Sequence, residues 1–321
     1  MEEKEYLSWL SSYTEAEECV RTQGGLPYYL RVNLLKAGVG EYLSWTKLGL
    51  EETFLPYAFR VGEVPEGGLG NTIDYASGWM HTQSLSSMLP PAVLSPVSGE
   101  TILDICAAPG SKTTQCAALM GNSGVIVAND SNRGRISALS SNLERLGVIN
   151  ACTMNQDGVR FTSKHRFDRI LVDAPCSGLG SNENAHKWWD EKYSRNISAL
   201  QTGILKNAFA HLKEGGVLVY STCTYAKEEN EVPVSRLLET HEDSRLEQVR
   251  VVLGEGEGGA GAEGKGVTAT RSGGGEVKAG VPIPNSQPGL SEFGNEFRKV
   301  ARVYPHEFGS EGFFVAKIRR T

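Results

Sequence analysis

The sequence predicts an α/β fold, a mostly parallel sheet covered by helices on both faces, with a small α+β module ahead of it. Three observations carry this. From about residue 76, short apolar runs of strand length alternate with stretches of helical spacing. Several of those runs end in or near an acid, at Asp104, Asp130, Asp157 and Asp173, and the carboxyl ends of parallel strands are where such folds collect ligands. Ahead of them, residues 28–61 show two strand-like runs flanking one helical run.

In chain order, residues 2–22 read as one acidic helix, stopped by Gly24, Gly25 and Pro27, so that 1–22 forms an N-terminal helical extension. Residues 23–75 form the small module. Within it YYLRVNLLK (28–36) alternates like a strand, VGEYLSWTKLGL (39–50) has helical spacing, and TFLPYAFRV (53–61) is again strand-like. Such a unit suits an RNA strand or serves as a packing appendage. The main domain spans 76–321. Its strands are TILDIC (101–106), VIVAND (125–130), NACTMNQD (150–157), FDRILVDA (167–174), GVLVYST (216–222), KVARVY (299–304) and GFFVAKI (312–318), with helices near 111–121 and 133–146. Residues 254–280 break the pattern: they hold 11 of the 37 glycines and almost no large apolar side chain, which predicts a flexible insertion.

The chain has 321 residues, 40% of them apolar, enough for a large core plus an appendage. No apolar run approaches the length of a membrane span, and the acidic start MEEKEYLSWL is unlike a secretory signal, so a cytoplasmic protein is expected. The net charge of −6 excludes an all-over basic coat, although residues 160–169 and KIRR (317–320) leave room for a basic face. Six cysteines without a C-x-x-C pair predict no metal site and no disulfide framework; each is a core residue or a reactive thiol.

The turn after the first strand of the main domain, DICAAPGSKTTQ (104–115), brings small residues and Gly110 to a helix N-terminus, where backbone can approach a ligand. A phosphate-binding loop would need glycines at 106 and 111 before Lys112, where this chain has Cys106 and Ser111, and the dinucleotide fingerprint fails too. A nucleoside without a phosphate chain remains, and S-adenosylmethionine fits. Asp130 is placed to accept both ribose hydroxyls and Asp157 the adenine amino group, unless each is only a cap or loop carboxylate.

Two further strands end in thiols, DAPCSGLG (173–180) and YSTCTY (220–225), side by side if those strands are neighbours. Cys176 and Cys223 are then either small buried residues or a reactive pair. With RVNLLK, GWMHTQSLSSMLPP (78–91), ANDSNRGRISALSSNLERLG (128–147), YSTCTYAKEENE (220–231) and YPHEFGSEGFFVAKI (304–318), these motifs cover nearly the whole chain. In them it resembles the Nop/Sun family of RNA cytosine-C5 methyltransferases, most closely the short archaeal-type tRNA enzymes.

The resemblance implies a Rossmann-like class I methyltransferase sheet, S-adenosylmethionine as cofactor and RNA, chiefly tRNA, as partner. It implies Cys223 as nucleophile, Cys176 as the group that helps release product, Asp173 at the cytosine edge and Lys112 ordering the catalytic groups. Cys106, Ala107, Ala108, Pro109, Gly110, Ser111, Lys112, Asp130, Arg135, Asp157 and Asp173 match the positions that line the cofactor. The chemistry makes sense of this: carbon 5 of cytosine becomes nucleophilic once a thiolate adds at carbon 6, and a donor near N3, such as Asp173 kept protonated by burial, would stabilise the charge that develops. The chain departs from the family at SNENAHKWWDE (181–191), where an Arg-rich stretch and a Pro-Asp pair are usual. The alternatives are an rRNA methyltransferase, a DNA cytosine-C5 methyltransferase, which uses the Pro-Cys thiol and needs no second one, and a non-catalytic RNA-binding or ribosome-assembly factor, which has no reason to keep both thiols with Lys112 and Asp173.

Overall fold

The computed structural model describes residues 2–184, 187–252 and 280–321. The expected insertion at 254–280 lies almost wholly outside them. The chain forms two compact bodies, one from Pro27–Asn155 with Arg250–Pro282, the other from Met1–Leu26, Gln156–Val249 and Ile283–Thr321.

The first body begins with an antiparallel sheet of β1 (Tyr29–Val32), β2 (Leu50–Glu52), β3 (Ala58–Val61) and β4 (Met80–Thr82), in the order β2-β3-β1-β4. Leu30, Val32, Phe59, Val61 and Met80 pack with Tyr42 of the helix Val39–Trp45 to form its core. The strand expected over 53–61 starts only at Ala58, because Pro56 sits in a turn that Thr53 closes by donating to the Ala58 carbonyl (2.9 Å). Met80–Thr82 joins this sheet, so it reaches past residue 75. Three parallel strands follow, β5 (Thr101–Asp104), β6 (Val125–Asn129) and β7 (Ala151–Met154), with the helices Ser111–Leu119 and Arg133–Arg145 between them. β6 lies at the centre of this trio, and Ile126 and Ala128 are fully buried there.

The two parts of this body are joined by buried polar groups. Arg31, 1% exposed, donates to Gln83 Oε1 (2.9 Å) and to the carbonyl of Ser111 (3.2 Å). His81 is held neutral by burial, which pushes its pKa down to about 2. Its Nδ1 therefore accepts from Arg145 (2.9 Å) and its Nε2–H donates to Ser111 Oγ (2.9 Å). The first turn of the helix Ser111–Leu119 is thus gripped from the antiparallel sheet.

In the second body, β8 (Phe167–Asp173) and β9 (Leu212–Thr222) are parallel neighbours, with Val172 beside Tyr220 and Asp173 beside Ser221. Completing it are β10 (Ser244–Glu247), β11 (Ala301–Val303) and β12 (Phe313–Arg320), the last antiparallel to β9, β10 and β11. The helix Glu191–Ala210 spans 20 residues, capped by the Asp190 side chain. The single helix expected over 2–22 is two, Glu3–Leu10 and Ala16–Gln23. The break has a local cause: Ser11 and Ser12 turn their hydroxyls back onto the carbonyls of Leu7 and Trp9 (both 2.7 Å), which competes with helix continuation. Tyr6, Leu10 and Cys19 from this hairpin pack with Leu179, Trp189, Tyr225 and Tyr304. Among the described residues no helix is long and apolar enough to cross a membrane.

Candidate functional site

In the first body the turn after β5 places Cys106 to Lys112 against the end of β6. Gly110 lies in the left-handed region (φ 104°), which disfavours any side chain, and a Cβ there would also push the Leu139 methyl, 2.8 Å away. Ala107 and Ala108 are small and buried, the amide of Ala107 donating to the Asn129 carbonyl (2.7 Å) and Asn142 donating to the Pro109 carbonyl (3.0 Å). Asp130 is buried, with its carboxylate accepting from the amides of Ala108 (3.2 Å) and Asn132 (2.9 Å) and lying 3.4 Å from the Arg135 guanidinium. Arg135 also donates to the Ala108 carbonyl. Three of the expected cofactor residues, Ala108, Asp130 and Arg135, are therefore in mutual contact, with Ala107, Pro109 and Gly110 in the same turn. Lys112 points its ammonium to Ser87 Oγ (2.9 Å).

The donor set fits a nucleoside and disfavours a phosphate. A carboxylate at the end of β6 accepts from a vicinal diol but repels an anion. Asp157, three residues after β7, is exposed and caps the short turn Gly158–Arg160 by accepting from the Val159 amide (2.9 Å). That cap is the structural alternative weighed for this acid from the sequence.

The second body brings the two thiols together. Cys176 follows β8 and Cys223 follows β9, and because those strands are parallel neighbours their ends deliver the sulfurs to 3.1 Å, both half-buried. They are not core cysteines, unlike Cys19 and Cys116, which are buried. The Cys223 thiol is shifted below the ordinary thiol range, because Cys176 hydrogen-bonds to it and Ser181 Oγ, at 3.4 Å, donates as well; burial works against this. Cys176 is shifted well above it by the same hydrogen bond and by desolvation. The contact between the sulfurs thus favours the proton on Cys176 and negative charge on Cys223. Asp173 accepts from Ser221 Oγ (2.8 Å). It is half-buried.

Sequence reasoning missed the residues that hold these loops. Glu229, fully buried, accepts from the Ser177 amide (2.8 Å), Ser194 Oγ (3.1 Å) and Gln201 Nε2 (3.3 Å), while Gln201 also donates to the Pro175 carbonyl (2.8 Å). Burial raises its pKa, and the three donors act to lower it. Asn230 donates to the Thr224 carbonyl (2.9 Å). Glu231 pairs with Arg302, Oε1 to Nε at 2.7 Å, both buried, and Arg302 also donates to the Tyr225 carbonyl (2.9 Å). The loops on either side of the thiols are thus fixed by three consecutive polar residues, Glu229 to Glu231. The one available signal was the polar run EENE directly after a thiol loop, which reads as a solvated helix start.

The backbone around Cys223 is equally tight. Its carbonyl accepts from the Gly180 amide (2.9 Å), and the Gly180 carbonyl from the Gly312 amide (2.9 Å). A Cβ on Gly180 would lie 2.2 Å from the Gly312 carbonyl oxygen, and one on Gly312 2.1 Å from the Tyr225 ring.

The profile of the 16S rRNA methyltransferase RsmB/F family matches residues 91–319. The tRNA (cytosine(49)-C(5))-methyltransferase of Pyrococcus abyssi is 37% identical over 302 residues, covering 91% of this chain and 87% of that protein. Ribosomal RNA small subunit methyltransferase F of Vibrio atlanticus is 36% identical over 91% of this chain, which spans only 57% of that protein. A methyltransferase homologue from Pyrococcus horikoshii aligns over 100% of both chains with a TM-score of 0.74 and 28% identity. The structure of NSun6 from the same organism, solved with SFG, aligns with a TM-score of 0.79 at 23% identity over 99% of this chain and supports the fold alone. The Rossmann-like α/β fold read from the strand and helix alternation is therefore the fold of this chain. A matched profile over most of its length, and a relative 37% identical over 91% of it, make this chain a member of the 16S rRNA methyltransferase RsmB/F family.

Proposed function

We propose that the chain transfers a methyl group from S-adenosylmethionine to carbon 5 of cytosine in RNA, through a covalent adduct on Cys223. The observation that carries this is the contact of Cys176 and Cys223 at 3.1 Å, with Cys223 the more acidic of the two. Two half-buried thiols with opposite shifts are a nucleophile and its proton partner.

The Cys223 thiolate adds to carbon 6, and the pair of electrons from the 5,6 double bond moves into the ring, where Asp173 would meet the base edge. The cofactor supplies an electrophilic methyl group to carbon 5. Once Cys223 is bonded to carbon it carries no charge and no longer accepts strongly from Cys176, which removes the largest cause of the raised Cys176 pKa. Cys176 can then release its proton to water and, as thiolate, take the proton from carbon 5. The electron pair of that bond restores the double bond and expels Cys223 as thiolate. Ala107, Ala108, Gly110, Asp130 and Arg135 would hold the cofactor, with Asp130 on its ribose; Asp157 would take the adenine amino group if its cap opens, and Lys112 would order the catalytic groups.

tRNA is the favoured substrate, since the chain spans most of a tRNA-modifying relative and little more than half of an rRNA-modifying one. The family name and the latter relatives favour rRNA as the second reading. All six cysteines are free thiols, which fits the reducing cytoplasm. Bisulfite sequencing of total RNA from a deletion strain identifies the molecule and nucleotide together. With RNA and cofactor supplied, the Cys176→Ala variant should trap a nuclease-sensitive covalent complex on a denaturing gel, and the double variant lacking Cys223 should not. A complex that survives loss of Cys223 reverses the two roles.

A further inference from the structure

A pocket of about 270 Å³ opens on the second body. It is lined by Trp9, Ser12 and Tyr13 of the N-terminal hairpin, Arg195 of the long helix, and Lys227 and Glu228 of the segment that follows Cys223. Trp9 is fixed edge-on to Tyr13 (4.9 Å between ring centroids) and against Trp189 (4.5 Å), yet remains half-exposed. Lys227 sits at the rim, 3.0 Å from Glu292. Glu228 Oε2 is shut off from solvent and has no hydrogen-bond partner among the described residues. A buried carboxylate oxygen without a donor is unfavourable, and a ligand donor would relieve it.

Aromatic faces, two cations and one unsatisfied acceptor are the parts of a nucleotide site. A carboxylate only accepts, and guanine is the RNA base that offers two adjacent donors, N1–H and N2–H, on its pairing edge. Glu228 is five residues from Cys223, a span of at most about 18 Å. We propose that this pocket takes a guanine nucleotide of the RNA, a few positions from the reacting cytosine. Its base stacks on Trp9 beside Tyr13, its pairing edge donates to Glu228, and its phosphate meets Arg195 and Lys227. The proposal rests on the RNA-methylating reading and adds a sequence preference to it.

The test uses the full chain and short single-stranded RNAs holding one cytosine, with guanine or adenine at each of the three positions on either side. Guanine at one position should lower KM at least about fivefold with kcat unchanged. Glu228→Gln should erase that preference while leaving KM for the adenine RNAs as it was. Arg195→Ala with Lys227→Ala should raise KM for every RNA alike and flatten its salt dependence. Guanosine monophosphate should quench tryptophan fluorescence of the wild type and of neither Glu228→Gln nor a Trp9→Phe control, and adenosine monophosphate should not. Absence of any guanine preference in methylated RNAs, or an equal effect of Glu228→Gln on all of them, overturns the proposal. If guanosine monophosphate binds through Glu228 but no RNA is methylated, the pocket stands and the reading of the reaction falls.

Discussion

Replacing Cys176 by Ala tests the electrostatics of the thiol pair without any need for RNA. The substitution removes the donor 3.1 Å from Cys223 and leaves Ser181 as the remaining one at 3.4 Å. A hydrogen bond to a charged group is worth roughly 1.5–3 kcal/mol, and a thiol is a weak donor, so the lower end applies. About 1.5 kcal/mol corresponds to roughly one pKa unit. The sign is fixed: Cys176 holds the Cys223 pKa down, so its loss must raise it, and the pH at which Cys223 becomes a thiolate moves up. Half-buried Cys223 is open to iodoacetamide, and peptide mass spectrometry separates its alkylation from that of the exposed Cys152. The midpoint of the rate against pH should lie about one unit higher in the variant. An unmoved midpoint, or a downward shift, refutes the assignment of the shared proton to Cys176.

Replacing Glu231 by Gln leaves Arg302 buried without its counter-charge and should destabilise the protein by about 3–5 kcal/mol, a loss of roughly 5–10 °C in Tm by calorimetry. Exchanging both for Met should recover most of that, and a silent single variant would mean the pair is not buried in solution. Asp130→Asn should weaken S-adenosylmethionine binding about tenfold to a hundredfold by titration calorimetry, whereas unchanged affinity would remove Asp130 from the ribose site. Val251 and Val281 pair by two backbone hydrogen bonds (2.8 and 2.9 Å), so a short turn can join them in place of residues 254–280. That deletion should keep fold and methyl transfer, and activity lost on RNA while cofactor binding survives would make the segment part of the RNA grip.

Most of the parallel strands were legible because they carry their own signal: an apolar run with a polar end, as in FDRILVDA and GVLVYST. The thiol pair was legible for the same reason, since each cysteine follows such a run and parallel neighbours align their ends. Two kinds of feature were hidden. The division of the N-terminal helix turns on two serine hydroxyls competing for carbonyls, a balance of a few tenths of a kcal/mol that periodicity does not register. Glu229 and Glu231 look like the solvated start of a helix, and they are buried only because Ser177 lies 52 positions away in sequence and Arg302 71. Asp157 shows the opposite case, an acid whose local sequence already suffices for the cap it forms.

The ladder of Gly180, Cys223 and Gly312 constrains how this protein can change over evolutionary time. A mutation at either glycine does not graze a flexible tip but collides with a carbonyl or a ring at little more than 2 Å, and Gly180 is bonded through its amide to the carbonyl of the nucleophile. A sulfur displaced by even an ångström loses its partner. Drift at these two positions should therefore stay closed, because no single replacement offers a viable intermediate step.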